Sequence, residues 1–300
     1  MTASIVGPVI EVPGELAASQ EKFNGAAGRA FVAGLPRRAE EFLRRWELRR
    51  DGPAMHGLCA LVLPVRRAGG GRAVLKLQLP DEENAGEAAA LGAWAGDGAV
   101  RLLEHDGPTR TLLLERLDER RALTGVPDAR AAVEVLAVLL ARLTSVPAPA
   151  GLRRLGDIAQ RMLQRAPWAL GRIPDVADRR LVADCAAAVR EVAAEPGDRL
   201  LHWDLHYGNV LAAERAAWLA IDPKPLAGDP GFDLLPALAD RHDPADTAWR
   251  FDALTAALGL DRERARAWTL GRVLQNSLWD IAEGRPPEPV RLAVGRALRA

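Results

Sequence analysis

The sequence predicts an α+β chain of two lobes, a β-rich N-terminal lobe over residues 1–116 and a larger helical lobe over residues 117–300. Three observations carry this. From Trp46 to Leu117, apolar runs of strand length alternate with turn signals such as "AGGGR" and "DGP". After Asp118 the pattern changes to long helical stretches, punctuated by prolines between Pro147 and Pro149 and between Pro286 and Pro289. A chain of 300 residues with no internal repeat is long enough to bury a sizeable core.

The elements follow in order. Residues 37–46, "RRAEEFLRRW", read as a short helix. "WELRRDG", "PAMHG" and "LCALVLPVRR" read as a β-rich stretch, and the Gly-rich turn joins the last of these to "AVLKLQL" in a hairpin. "PDEENAGEAAALGAWAG" begins with Pro and Asp, places Glu82 and Glu83 in an acidic first turn and continues as an Ala-rich helix. "AVRLLEHDGPTRTLLLERL" gives two more strands. "DARAAVEVLAVLLARLTSV" is apolar on most sides, as a buried helix is. "DVADRRLVADCAAAVREVAAE" sets Val182, Cys185, Val189 and Val192 on one face. Then comes "LLHWDLHYGNVL", followed by a second hairpin of "VLAA" and "WLAI" joined by "ERAA".

Composition narrows the function classes. The 40 basic and 40 acidic residues balance to +0, which lends no support to a nucleic-acid or anionic-membrane partner. Cys59 and Cys185 are far apart and not in CxxC spacing, so neither a disulfide framework nor a zinc cluster is expected. The N-terminal "MTASIVGPVIEVPGELA" has no basic segment leading into an apolar core, and no apolar run is long enough to span a membrane, so the expectation is a cytoplasmic protein. Only three of the basic residues are lysines, namely Lys22, Lys76 and Lys224. In an Arg-rich chain, a retained lysine points to a task that arginine does not perform.

Lys76 sits mid-strand among apolar neighbours, on the face shared by Val74 and Gln78. Its ammonium needs an anion, because an unpaired buried charge is costly. Glu87, on the apolar side of the following helix with Ala90, Leu91 and Trp94, can supply one. In "LLHWDLHYGNVL" the polar residues are His202, Asp204, His206 and Asn209. A hairpin of the size that follows returns Asp222 to the side of Asn209, so Asp204, Asn209 and Asp222 converge. A carboxylate and an amide oxygen suit magnesium, and Asp204 is then left to accept a proton from an attacking hydroxyl. The rival is a zinc or iron site on His202, Asp204 and His206. It needs further ligands, and His56, His105 and His242 form no recognisable ligand pair. His202 and His206 are therefore read as loop-holding residues and Tyr207 as a packing residue. No G-x-S-x-G elbow, G-x-x-x-x-G-K-[ST] loop or G-x-G-x-x-G fingerprint occurs.

A strand lysine, a helix glutamate, an H-x-D-x-x-x-x-N loop, a hairpin and an aspartate in this order resemble the protein-kinase-like fold. "HWDLHYGNVL" with "IDPKPLAGDPGFDL" resembles the aminoglycoside phosphotransferases. "RWELRRDG", "LKLQLP", "GDGAVRLLEHD", "LLLERLD" and "LHWDLHYGNVLAAER" narrow the likeness to the streptomycin 6-phosphotransferase and hydroxyurea-resistance kinase group, from about residue 30 to at least residue 240. The resemblance implies ATP and Mg2+ as cofactors. It implies that Lys76, steadied by Glu87, contacts the α- and β-phosphates, and that Glu115 to Leu117 offer backbone groups to adenine. It also implies Asp204 as base, Asn209 and Asp222 as magnesium ligands, and Asp233 as a brace for the catalytic loop. The implied partner is a small cationic antibiotic, streptomycin foremost. A pocket for its guanidinium groups would draw on acids such as Asp229, Asp240, Asp243, Asp246, Asp280 and Glu283, with Trp249, Trp268 and Trp279, most of them otherwise surface acids and core tryptophans. Alternatives are a kinase of another small hydroxyl compound such as hydroxyurea, and a catalytically silent kinase-like binding module. Two features depart from the protein-kinase pattern. The nucleotide-covering turn "RDGPAMHG" carries only Gly52 and Gly57, and D-F-G is replaced by Asp222-Pro-Lys with no activation segment after it.

Overall fold

A computed structural model describes residues 10–299, so part of the N-terminal stretch read above for a leader lies outside the described residues. The chain divides into two compact units. One comprises the residues up to Ala88 with Val100–Arg116, the other Ala89–Ala99 with Leu117 onward.

The first unit is built on an antiparallel sheet. Its strands are β1 (Arg49–Arg50), β2 (Met55–His56), β3 (Ala60–Arg66), β4 (Arg72–Gln78), β5 (Leu102–Asp106) and β6 (Thr111–Glu115). They run in the order β1-β3-β4-β6-β5, with β2 also paired to β3. The β3–β4 hairpin closes where the Arg67 N–H donates to the Gly71 carbonyl, with Gly70 at φ 84°, a left-handed value that glycine adopts at no steric cost. Its register puts Val62 opposite Lys76 and Leu63 opposite Leu75. Leu61, Leu63, Leu75, Leu77 and Leu113 are buried in one cluster with Leu35, Ala39 and Phe42 of a long helix, α1 (Gly14–Arg45).

Helix α1 is far longer than the short helix expected at residues 37–46. It is two helical runs joined at Gly25, whose φ of 53° and ψ of −126° are not helical. Its first half, "GELAASQEKFNG", lacks a continuous apolar stripe, so its sequence did not announce a helix. Just beyond the kink, Gly28 lies so close to the Gln20 carbonyl that a Cβ there would collide with it.

The helix expected from Asp81 starts later, as α2 (Glu87–Trp94). Asp81 Oδ1 accepts from the N–H groups of Glu83 and Asn84, 2.8 Å each, and this side-chain turn holds residues 81–84 out of the helix. Glu87, not Glu82 or Glu83, is the acid of the first turn.

The second unit is mostly helical, but not from its start. β7 (Asp118–Ala122) pairs with β10 (Val210–Ala212), which pairs in turn with β11 (Leu219–Ala220). A further small sheet joins β8 (Arg153–Arg154), β12 (Leu226–Gly228) and β9 (Arg199–Leu201). The helices are α3 (Ala129–Thr144), α4 (Leu155–Leu170), α5 (Val176–Val192), α6 (Leu235–Ala239), α7 (Thr247–Leu258), α8 (Arg262–Ala282) and α9 (Pro289–Arg299). Asp128 caps α3 and Asp175 caps α5, each accepting backbone N–H bonds of the first turn. Val182, Cys185 and Val189 of α5 are buried, while Val192 is half-buried. Among the described residues, no helix is long and apolar enough to cross a membrane.

Candidate active site

In the first unit the site is a buried ion pair. Strand alternation sends Lys76 and Gln78 to the same face of β4, and both reach Glu87. Lys76 Nζ donates to Glu87 Oε1 at 2.7 Å and Gln78 Nε2 to Glu87 Oε2 at 2.8 Å. Lys76 is 5% exposed and Glu87 1%. The carboxylate also stands at the N-terminus of α2, where the helix dipole favours negative charge. A pair this buried is held in one geometry, and loss of either partner leaves a charge that water cannot reach. Gln78, which sequence reasoning passed over, completes the carboxylate's hydrogen bonds. The signal was its place two residues from Lys76 on the same face.

Glu115 closes β6. Its N–H donates to the Arg101 carbonyl at 3.0 Å and its Oε1 accepts the Arg101 N–H at 2.8 Å, so this amide N–H is already committed within the unit. Leu117 is buried at 8% exposure.

In the second unit the site is the loop after β9. His202 is fully buried, and its N–H donates to Asp233 Oδ2 at 2.8 Å. The His202 Nδ1 accepts the Asp204 N–H at 3.3 Å, and a backbone N–H can only donate. The ring proton therefore sits on Nε2, which donates to the Ile221 carbonyl at 3.0 Å. Burial lowers the His202 pKa to about 4, against the pull of the Asp204 and Asp222 carboxylates, so the ring is neutral. Trp94 stacks on it with centroids 6.2 Å apart.

The next residue, Trp203, has φ 65°, a left-handed conformation rarely taken by an aromatic residue. Arg272 of α8 donates to the Trp203 carbonyl at 3.1 Å and lies over the rings of Trp203, Phe232 and Trp279. Asp233 is fully buried, and burial pushes its carboxyl up to about 7, opposed by the N–H groups of His202 and Trp203 and by the Arg272 charge.

Asp204 stands at the mouth of the loop with its side chain 27% exposed and accepts from Lys224 Nζ at 3.0 Å. The Asp204 carbonyl accepts from Asn209 Nδ2 at 2.9 Å. His206 Nδ1 caps the turn by accepting from the Gly208 N–H at 3.0 Å, and the Tyr207 N–H donates to Asp240 Oδ2 at 2.8 Å. The Asn209 carbonyl accepts the Ile221 N–H at 2.9 Å, which sets Asp222 beside the loop. Asp222 has φ 57°.

This geometry bears on both metal readings. The nitrogens of His202 and Nδ1 of His206 are spent on backbone groups, and among the described residues no group of three or more His, Cys, Asp or Glu could hold a metal ion. The zinc or iron trio is thus not assembled. The magnesium reading is different. Binding of the Asn209 amide nitrogen to Asp204 leaves Oδ1 as the atom that Asn209 can offer a cation. With the Asp222 carboxylate this makes two oxygen donors, a set that fits a hard ion which keeps waters and phosphates as its other ligands.

The acids considered for a cationic substrate are largely engaged by arginines. Asp229 pairs with Arg264 at 2.6 Å, Asp246 with Arg130 at 2.7 Å, and Asp280 with Arg285 at 2.9 Å and Arg291 at 3.4 Å. Glu283 also pairs with Arg285, at 2.7 Å. Trp268 is buried in the core against Phe232, Trp279 packs on Trp203, and Trp249 lies under Arg130.

Comparison with known proteins agrees with this architecture. A family described as aminoglycoside/hydroxyurea antibiotic resistance kinase matches residues 45–284. A hydroxyurea phosphotransferase of Kitasatospora aureofaciens is 64% identical over 296 residues, covering 98% of this chain and 87% of that one. A streptomycin 6-kinase of Streptomyces glaucescens is 56% identical over 300 residues, covering 97% and 98%. Among solved structures, an aminoglycoside phosphotransferase in ternary complex with ADP and hygromycin B superposes with a TM-score of 0.59 at 12% identity, covering 87% of this chain and 97% of that one. At that identity the likeness speaks for the fold, which is protein-kinase-like.

Proposed function

The chain belongs to the aminoglycoside/hydroxyurea antibiotic resistance kinase family, and on that premise we propose that it transfers the γ-phosphoryl group of ATP to a hydroxyl of a small antibiotic, streptomycin foremost, with Asp204 as general base. The observation that carries this reading is the state of the 202–209 loop. The N–H groups of His202, Asp204, Tyr207 and Gly208, both ring nitrogens of His202 and Nδ1 of His206 are taken up by internal hydrogen bonds, while the Asp204 carboxylate stays partly exposed. A carboxylate so presented can take the proton of a hydroxyl as its oxygen attacks phosphorus.

Phosphoryl transfer asks a protein for position and charge more than for covalent chemistry. In the first unit, Lys76 is the fixed positive charge for the nucleotide's α- and β-phosphates, and Glu87 with Gln78 keeps it from turning away. The segment from Glu115 to Leu117 is read as the source of backbone contacts to adenine. In the second unit, Asn209 Oδ1 and Asp222 are the residues that would hold magnesium. The bound ion supplies charge neutralisation for the phosphates. Asp233 and His202 keep the loop in shape.

Two observations favour hydroxyurea as a second reading for the acceptor. The hydroxyurea phosphotransferase relative is 64% identical, and the acids that could face a dicationic drug are largely paired with arginines. The test is a mass measurement of products after incubation with ATP, magnesium and a panel of streptomycin, hydroxyurea and other aminoglycosides. Gain of one phosphoryl group on streptomycin is the expected result, and gain on hydroxyurea alone selects the second reading. A panel left unmodified would overturn the proposal and revive the silent binding module.

A further inference from the structure

We propose that Lys224 is a positioning residue for the reaction, holding one oxygen of the Asp204 carboxylate so that the other meets the acceptor hydroxyl. This rests on the reading of Asp204 as the base.

Lys224 Nζ is 3.0 Å from Asp204 Oδ2, and the Lys224 backbone N–H donates to the His202 carbonyl at 3.0 Å. The lysine is therefore anchored by its main chain to the same loop that its ammonium reaches. A stability role explains the contact poorly. The side chains are 35% and 27% exposed, and ion pairs open to solvent contribute little to folding. Composition points the same way. The chain writes nearly all its basic positions as arginine and keeps three lysines, of which Lys76 is the buried partner of Glu87 and Lys224 the partner of Asp204. An ammonium is a compact point charge on a flexible stem. A guanidinium in its place would present a planar fork that can take both carboxylate oxygens. One oxygen held and one open is what a base needs.

In the step as proposed, the acceptor O–H bond breaks and its proton passes to Asp204 Oδ1. The acceptor oxygen forms a bond to the γ-phosphorus of ATP. The bond from that phosphorus to the β–γ bridging oxygen breaks, and its electron pair leaves with ADP. Lys224 gives and takes no proton. It fixes the rotation of the carboxylate, and misplacement of a reacting group by about 1 Å is enough to cost on the order of 100-fold.

The test is a kinetic cycle on the full chain with ATP, magnesium and streptomycin, or hydroxyurea where the product panel selects it. It compares wild type, Lys224→Met, Lys224→Arg, Asp204→Asn and the Lys224→Met/Asp204→Asn double variant, each first shown to unfold at its own thermal midpoint in a cooperative transition. Lys224→Met is expected to lower kcat roughly 10–100-fold and to leave the KM for ATP within about twofold. In the Asp204→Asn background the same change is expected to have no further effect, because the group it orients is gone. Lys224→Arg, whose fork can take both carboxylate oxygens, is expected to fall below wild type in kcat even though it keeps the charge. A full kcat in Lys224→Met overturns the inference. So does an equal loss in both backgrounds, or a loss that appears in the KM for ATP. If Asp204→Asn itself turns over like wild type, the underlying reading of the base has failed instead. Should Lys224→Met not fold, Lys224→Gln carries the same test, expected to lower kcat roughly 10–100-fold with the KM for ATP within about twofold; a full kcat there overturns the inference.

Discussion

At the scale of single residues, the site is set by where charge is allowed. His202 is held neutral with a pKa of about 4, lowered by burial from 6.5. Below pH 6.5 the unfolded chain takes up a proton that the folded chain refuses. The contribution of His202 to stability is therefore complete above pH 6.5 and is lost as pH falls toward 4, to a total of about 3 kcal/mol. Asp233 acts in the opposite sense. Burial raises its carboxyl from 3.8 to about 7, so its contribution is complete below pH 3.8 and is lost as pH rises through 7. Replacing His202 removes one of these opposed terms. The stability gap between wild type and His202→Gln, from urea unfolding, is expected to narrow by about 2 kcal/mol between pH 7 and pH 5; an unchanged gap would show that the imidazole is not kept neutral. The Lys76–Glu87 pair makes a second case. Glu87→Gln leaves a buried ammonium facing a neutral amide. The expected outcome is a loss of ~3 kcal/mol or more in stability together with a several-fold rise in the KM for ATP, read by denaturation and by initial rates.

At the scale of elements, local sequence rules were overridden where tertiary contacts decided. The strand β7 reads "DERRA", five residues with hardly an apolar side chain, and it is a strand because its backbone pairs with β10, with Leu211 opposite Ala122. The start of α2 was misplaced because a Pro-Asp pair signals a helix cap, whereas here the Asp81 side chain closes a turn of its own. Helix α1 depends on two glycines that a propensity scale counts only as weak points. Gly25 takes a backbone conformation open to glycine alone, and Gly28 lets the chain approach the Gln20 carbonyl. Gly28→Ala should therefore destabilise the protein by about 1–3 kcal/mol, measurable as a lower urea midpoint. A neutral effect would mean that the two halves of α1 can separate freely.

At the scale of the whole molecule, hydrophobic periodicity was enough to read the two-unit, α+β plan. The β3–β4 hairpin, the helices α3 and α5 and the β10–β11 return are all written in runs of apolar residues with turn chemistry between them. The residues proposed for the site also stand out in the sequence, since few reactions need a mid-strand lysine and an H-x-D-x-x-x-x-N loop in one chain. Partnerships that depend on the chain's return were not legible. The contact of Lys224 with Asp204 spans 20 residues and exists only because the β10–β11 hairpin folds back. Some of the arginines that engage the expected substrate acids come from other elements, such as Arg130 of α3 on Asp246. The core can be tested by its thiols. Burial raises Cys185 to about 12, whereas Cys59 is half-buried, so a thiol reagent should modify Cys59 first and Cys185 only on unfolding. The central claim is that one carboxylate, Asp204, takes the acceptor's proton, and it is tested most directly by the turnover of Asp204→Asn with ATP, magnesium and the acceptor that the product panel identifies. The account predicts a fall of at least ~100-fold in kcat with ATP binding by calorimetry little changed. Turnover close to wild type would contradict it.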